Sequence, residues 1–428
     1  MVIMMNHLVY WVWLSLRCGA GSELGTYLLK HFSSPQEVYE ADAAKLFSVE
    51  GLTEEIVSAL IDKDLVYPQK IVEYCERVNV GILTPESANY PDRLRAIYAK
   101  PIVLYYRGRL PNIDDNVLIA CVGTRTCSER GRQNAYALGR DLAYAGAIVV
   151  SGLASGIDAA AQKGVLDAGG HTIAVLGCGI DRIYPPQNGP LMRKIAETGT
   201  VLTEYAPGTE PFARNFPVRN RIISGLSQGT VVVEANSKSG SLITANHAQK
   251  QGRDIFAFPG TVEAPHAKGT NALIKRGAKL VTCAEDVLED YELLYPDRIF
   301  TENIALNHYR KGSGQADIPA QEMSHPPIVQ KKKIQRPAEK KSAKKTAPAK
   351  ESAPAVQVQE KDIASCADSG CREILSVMQG TVSAEEIAAA LSQKNGVPND
   401  IGSVLGGLTV LEIDGFVEAL PGGLYRRR

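Results

Sequence analysis

The sequence predicts an α/β protein built on an extended, mostly parallel, Rossmann-like sheet, flanked by an N-terminal helical domain and a C-terminal winged helix. Three observations carry this expectation. Between about residues 100 and 290, short unbroken apolar runs alternate with amphipathic segments; several of those runs end in glycines; and both ends of the chain have a helical texture. A strand that is apolar at every position, rather than at every second one, is covered on both faces, as in a parallel sheet between helical layers. At 428 residues and 44% hydrophobic content the chain exceeds one ordinary core, so two to three domains are expected.

Residues 1–84 read as short helices over 8–16, 24–32, 35–44 and 54–61. The Gly51-Leu52 step resembles a helix-hairpin-helix DNA contact, but a helical bundle used for packing or protein contacts is the favoured reading. Residues 85–295 form the Rossmann-like core, with strands expected at 102–106, 117–122, 147–151, 172–176, 200–204, 230–235, 254–258 and 279–281, and helices such as 130–144 and 159–168 between them. Residues 296–365 lose periodicity. Lys331–Lys350 holds nine basic residues against Glu339 alone, the composition of a disordered linker that would attract a polyanion. In residues 366–428, helices at 371–378, 383–391 and 399–411 precede a hairpin around Pro421-Gly422-Gly423, the order of a winged helix. Glu412 and Asp414 beside the third helix weigh against strong DNA contact there.

Composition narrows the function classes. Lys+Arg and Asp+Glu each number 47, so any basic site must be local. Eight scattered cysteines suit the reduced thiols of a cytosol, and Cys366 and Cys371 lack a second pair or a nearby His to complete a metal set. The N-terminal run has no basic n-region and carries Arg17 where a small residue would precede a lipoprotein cysteine, so it reads as a buried helix. No other stretch reaches the ~20 apolar residues of a membrane span. A cytosolic protein with no membrane partner is expected.

The chemistry-bearing segments sit where strands end. The run Val122-Gly123-Thr124-Arg125-Thr126-Cys127-Ser128 leads from a strand into a helix, where a glycine turn, backbone N–H groups and a guanidinium fork make an anion seat. It is not G-x-G-x-x-G, and no G-x-x-x-x-G-K-[ST] loop occurs, so neither a dinucleotide nor ATP is expected as cofactor. Residues 151–158 and 176–181 repeat the glycine-rich construction. Together they imply a crevice at one sheet edge. Phe212–Arg221 interleaves three arginines with two phenylalanines, as a single-strand groove requires, and residues 234–241 open a helix with hydroxyls, a glycine and a lysine. The candidate phosphate- and DNA-binding residues are therefore Gly123, Thr124, Arg125 and Ser128; Gly152; Arg214, Phe216, Arg219, Asn220 and Arg221; and Lys238, Ser239, Gly240 and Ser241. No catalytic residue, metal or cofactor is expected.

These motifs resemble the bacterial DNA-processing protein A family, DprA, also called Smf. The resemblance rests on VGTR (122–125), SGLASGID (151–158), AVLGCGIDRIYP (174–185), FPVRNRIISGLS (216–227), VVVEA (231–235), SGSLITA (239–245) and GRDIFAFPG (252–260), in the family's order. It implies a core that binds single-stranded DNA, forms a homodimer and loads the RecA recombinase during natural transformation. By the same analogy Arg125 and the Arg214–Arg221 segment touch phosphates and Phe216 stacks on a base. The ends look like the family's usual flanking domains, SAM- or helix-hairpin-helix-like at the N-terminus and winged-helix at the C-terminus. The Lys-rich linker is not assigned by the resemblance.

Two other readings compete. Ser224–Thr230, ending at Glu234, loosely echoes the pattern of nucleotide phosphoribohydrolases, with Glu234 and Asp158 as acid and base, although Ser227-Gln228 replaces the expected glycine-rich approach. A purely structural adaptor would leave the Arg/Phe segment idle.

Overall fold

The computed structural model describes residues 2–312 and, with short gaps, residues 369–427, in two compact units divided at Ser324. The first unit opens with six helices, α1 (Val2–Cys18), α2 (Leu24–His31), α3 (Pro35–Glu40), α4 (Ala43–Phe47), α5 (Glu54–Ile61) and α6 (Val66–Arg77). Their starts follow local chemistry: Ser34, Asp42 and Thr53 each accept a backbone N–H from the first turn that follows. The sequence reading missed α6.

A nine-stranded sheet follows. Its strands are β1 (Gly81–Leu83), β2 (Leu104–Gly108), β3 (Leu118–Val122), β4 (Ile148–Ser151), β5 (Thr172–Val175), β6 (Thr200–Thr203), β7 (Gly229–Val232), β8 (Asp254–Ala257) and β9 (Lys279–Leu280). The order across the sheet is β1-β2-β6-β5-β4-β3-β7-β8-β9. β1 and β2 run antiparallel at one margin and β6 through β9 form a parallel set. Each expected apolar run became a strand. β1, only three residues long, was not expected.

The intervening helices are α7 (Asp92–Arg95), α8 (Glu129–Tyr144), α9 (Ile157–Asp167), α10 (Gly189–Thr198), α11 (Asn215–Leu226), α12 (Ser241–Lys250), α13 (Lys268–Lys275), α14 (Ala284–Leu294) and α15 (Glu302–Gly312). β3 is buried at every position. Ile119 and Cys121 join the cluster under α8, α9 and α14, whereas Leu118, Ala120 and Val122 join the one under α11 and α12, so the uninterrupted apolar run reports two covered faces. From β3 the chain builds outward through β4, β5 and β6, then returns to the other side of β3 as β7. That reversal creates a topological switch point between β3 and β7.

Two expectations change. Phe212–Arg221, expected to place all three of its arginines in a single-strand groove, leads into α11 at Asn215, because proline in a first helical turn removes only an N–H that has no intrahelical partner. Residues 296–312, assigned to the linker, fold onto the core: Phe300 N–H donates to Ala145 O at 3.0 Å, and Ile304 is 3% exposed. Composition missed this because, among its described residues, only Ile299, Ile304 and Asn307 are buried in an otherwise mostly polar stretch. The rest of the expected linker lies outside the described residues.

The second unit comprises α16 (Ser369–Val377), β10 (Thr381–Ser383), α17 (Ala384–Asn395), β11 (Val417–Leu420) and β12 (Leu424–Arg427), with an antiparallel sheet ordered β10-β12-β11. Ile374, Leu375, Ile387, Leu391 and Leu408 form its core. The third helix expected at 399–411 and the turn at 421–423 fall largely outside the described residues.

One apolar cluster of the first unit runs from Trp13, Leu28 and Leu60 of the N-terminal helices to Ile102, Val103, Leu176 and Met192 of the sheet layer. A cut between residues 84 and 85 therefore uncovers side chains each worth about 1.5–3 kcal/mol when buried. We expect a fragment of residues 85–295 to melt well below the full chain in a thermal unfolding scan. Equal melting temperatures would show that the helices contribute nothing to the core.

Candidate nucleic-acid interface

The turns after β3, β4, β5 and β7 all lie at the carboxyl edge of the parallel strands, and the crevice opens at the switch point. Thr124 N–H donates to Glu234 O at 2.8 Å, which ties the turn after β3 to the turn after β7. Two adjoining cavities occupy the crevice. The larger, about 480 Å³, is lined by Gly123, Arg125, Phe216, Asn220, Gly240 and Ser241 among others; the smaller, about 310 Å³, by Gly152, Gly177, Tyr184 and Gln187. Arg125, Ala154, Tyr184, Phe216 and Arg219 border both.

α11 decides which of the arginines can meet a ligand. In a helix, positions three and four apart share a face. Phe216, Arg219, Asn220 and Ile223 line the crevice, while Val218 and Arg221 point elsewhere. Arg219 is only 4% exposed. Its Nη1 donates to Gly152 O at 2.9 Å and to Val175 O, and its Nε to Asn220 Oδ1 at 3.2 Å. Burial pushes its guanidinium down to about 10, against the pull of the nearby Asp158. Asp158 in turn is raised by burial, opposed by Arg219, and accepts Gly152 N–H at 3.1 Å. Arg221 grips Glu204 through two bonds from Nη2, at 2.7 and 2.8 Å, with both side chains nearly buried. The expectation of phosphate forks at both positions is thus corrected. Arg219 is a floor element of the crevice and Arg221 is an internal ion pair.

The expected anion seat at the start of α8 is also filled from within. Ser128 caps the helix, its Oγ accepting Gly131 N–H at 2.9 Å, while Ser128 N–H and Oγ–H both donate to the Glu234 carboxylate at 2.9 and 2.5 Å. A carboxylate supplied by the β7 turn takes the positive end of the helix that a phosphate would have used. Gly131 leaves room for this carboxylate, since a Cβ there would lie 2.2 Å from the Glu234 carboxyl carbon. Glu234 and Asp158, the acid and base of the enzymatic reading, are accordingly held by Ser128 and by Gly152 with Arg219.

Among the candidate site residues the exposed cations are Arg125, Arg214 and Lys238. Arg125 stands 5.3 Å from the Phe216 ring centroid, and Tyr184 packs on the same ring at 5.1 Å, tilted by 34°. Arg214 lies 5.0 Å from the ring of Phe212, itself 51% exposed. At the start of α12, Ser239 and Ser241 share a hydroxyl contact at 2.8 Å, and Asn220 Nδ2 donates to Gly240 O at 3.3 Å, which fixes that turn against α11. Sequence reasoning did not single out Tyr184, although it stands within the AVLGCGIDRIYP run. The turn after β5 delivers it. Among the described residues no group of three or more His, Cys, Asp or Glu is placed to hold a metal ion, and no helix is long and apolar enough to cross a membrane.

Comparison with known proteins matches residues 81–292 to the family model described as DNA recombination-mediator protein A. The chain is 38% identical over 283 residues to Protein Smf of Synechocystis sp., spanning 65% of this chain and 71% of that one. It is 44% identical over 203 residues to DNA processing protein DprA of Streptococcus pneumoniae, spanning 47% and 71%. The X-ray structure of DNA processing protein A from Streptococcus pneumoniae superposes with a TM-score of 0.58 at 34% identity, covering 66% of this chain and 97% of that one.

The three arginines should separate in stability. Removing one member of a buried ion pair costs about 3–5 kcal/mol, whereas an exposed surface change stays within about 0.5 kcal/mol. Denaturant unfolding of Arg219→Ala and Arg221→Ala is expected to show the large loss, and that of Arg125→Ala to match the parent chain. A destabilised Arg125→Ala would place that side chain among the structural arginines.

Proposed function

This chain belongs to the DNA recombination-mediator protein A family, DprA or Smf, and we propose that it binds single-stranded DNA in the switch-point crevice and passes it to the RecA recombinase. The observation that carries the reading is Arg125, an exposed guanidinium held against the Phe216 ring at the junction of the two cavities. A phosphate fork beside an aromatic face, in walls that mix glycine, serine and asparagine with alanine, proline and isoleucine, engages features that every nucleotide has. Arg125, Arg214 and Lys238 take the phosphates; Phe216, with Tyr184 behind it, offers the stacking surface. Gly240, with open space where a Cβ would stand, lets the strand approach the backbone, whereas Gly123 and Gly152 make room for Ile157 and Arg219.

Family membership supports the remaining parts: RecA loading during natural transformation, a cytosolic location and a homodimer. Self-association is further supported by Leu280, Leu293 and Leu294, which are 50%, 82% and 71% exposed near the β9 margin. The C-terminal unit is a winged helix joined through the basic stretch 331–350, which keeps a polyanion near the core.

Oligo-dT and a duplex of equal length, titrated at several salt concentrations, test the reading. Tighter binding of the single strand is expected, and equal affinity for both forms refutes it. Each phosphate neutralised on a single strand contributes a slope of about −0.7 in log affinity against log salt. Arg125→Ala should flatten the slope by about that amount. Phe216→Ala should lower affinity, with stacking worth ~1–3 kcal/mol per base, and leave the slope alone. For the RecA step, the protein should speed RecA filament growth on DNA coated with a single-strand-binding protein. Absence of acceleration with both proteins active leaves binding only.

A further inference from the structure

α11 has a second face. Opposite the crevice, Val218 and Arg221 meet the turn between α1 and α2 and the residue that follows β6. Glu204 follows β6 directly and is therefore anchored on the sheet. Its carboxylate holds Arg221 at 2.7 and 2.8 Å and also accepts Gly21 N–H at 3.3 Å. Gly21 has φ +76°, and a Cβ there would fall 2.3 Å from Val218 Cγ1. One carboxylate thus ties together the sheet, the crevice helix and the N-terminal segment.

This junction is poorly built for stability alone. The Arg221 and Glu204 side chains are 6% and 9% exposed, and Arg221 Nε and Nη1 are buried with no partner. Desolvating such a pair offsets most of its attraction, so an apolar contact of equal volume would stabilise the fold as well. What the pair supplies is register. The two bonds from Nη2 fix the rotation of α11 about its axis, and that rotation decides how Phe216, Arg219 and Asn220 enter the crevice.

We propose that Gly21, Glu204 and Arg221 are positioning residues that set α11 from behind, so that the packing of the N-terminal segment controls the affinity of the crevice for a single strand. This rests on the reading of the crevice as a single-strand site. No residue of the junction touches the strand. Disturbing it weakens binding without removing a phosphate contact.

The test uses the full chain and an oligo-dT probe followed by fluorescence anisotropy, with thermal unfolding of every variant. Gly21→Ala pushes a methyl into Val218; it should weaken binding severalfold with the salt slope of the parent chain. Val218→Ala in the same chain makes room for that methyl and should restore affinity, while Val218→Ala alone binds like the parent. Parent-like affinity in Gly21→Ala overturns the proposal, as does a loss that Val218→Ala fails to restore, which would reflect only backbone strain in the turn. Should Gly21→Ala not fold, Arg221→Lys decides: it keeps the charge, abandons the two-point grip, and is expected to bind more weakly with an unchanged slope. Parent-like affinity in that variant overturns the proposal. A parent chain that binds no oligo-dT refutes the single-strand reading itself; a binding parent with indistinguishable variants refutes only the junction.

Discussion

Arg219 is the guanidinium on which the crevice depends. It enters the carboxyl edge of the sheet from α11 and donates to the backbone of Gly152, after β4, and of Val175, in β5. Those carbonyls lie at strand ends, where the ladder stops and a buried acceptor would otherwise go unmet. The cost of burying the cation is offset by Asp158, whose own carboxylate is held by Gly152 N–H. Helix, two strand ends and the start of α9 are thereby locked in one arrangement. Only with α11 so fixed does Phe216 stand between the two cavities.

The same logic organises the other charges. A chain with 47 basic and 47 acidic side chains has no net field to draw in a polyanion, so attraction must come from the local placement of its cations. Buried cations, Arg219 and Arg221, are matched with Asp158 and Glu204. Glu234 occupies the α8 helix end, which removes one positive site from the crevice and leaves a neutral wall. Arg125 then borders both cavities as an exposed cation, with Arg214 and Lys238 exposed on two other turns.

Much of this architecture could be read before any coordinates. Unbroken apolar runs specify strands covered on both faces, and the glycine-rich turns after them specify a crevice, because both are statements about local backbone and burial. The membership of Gly123, Arg125, Phe216, Asn220 and Gly240 in one site was legible from the same turns. What could not be read was the fate of individual side chains in Phe212–Arg221. Arg214, Arg219 and Arg221 are equivalent as residues in a list. They become solvent-facing, floor and internal pair only when Pro217 lies in the first turn of a helix and the 100° step per residue assigns each a direction. Likewise Glu234 and Ser128, distant in sequence, meet because β3 and β7 are neighbours in the sheet, which no spacing along the chain encodes. Sequence alone determined the layers, the edge that carries the site and its chemical character. The tertiary structure decided which charges are spent inside and which remain for a ligand, since pairing depends on through-space neighbours and burial rather than on residue type.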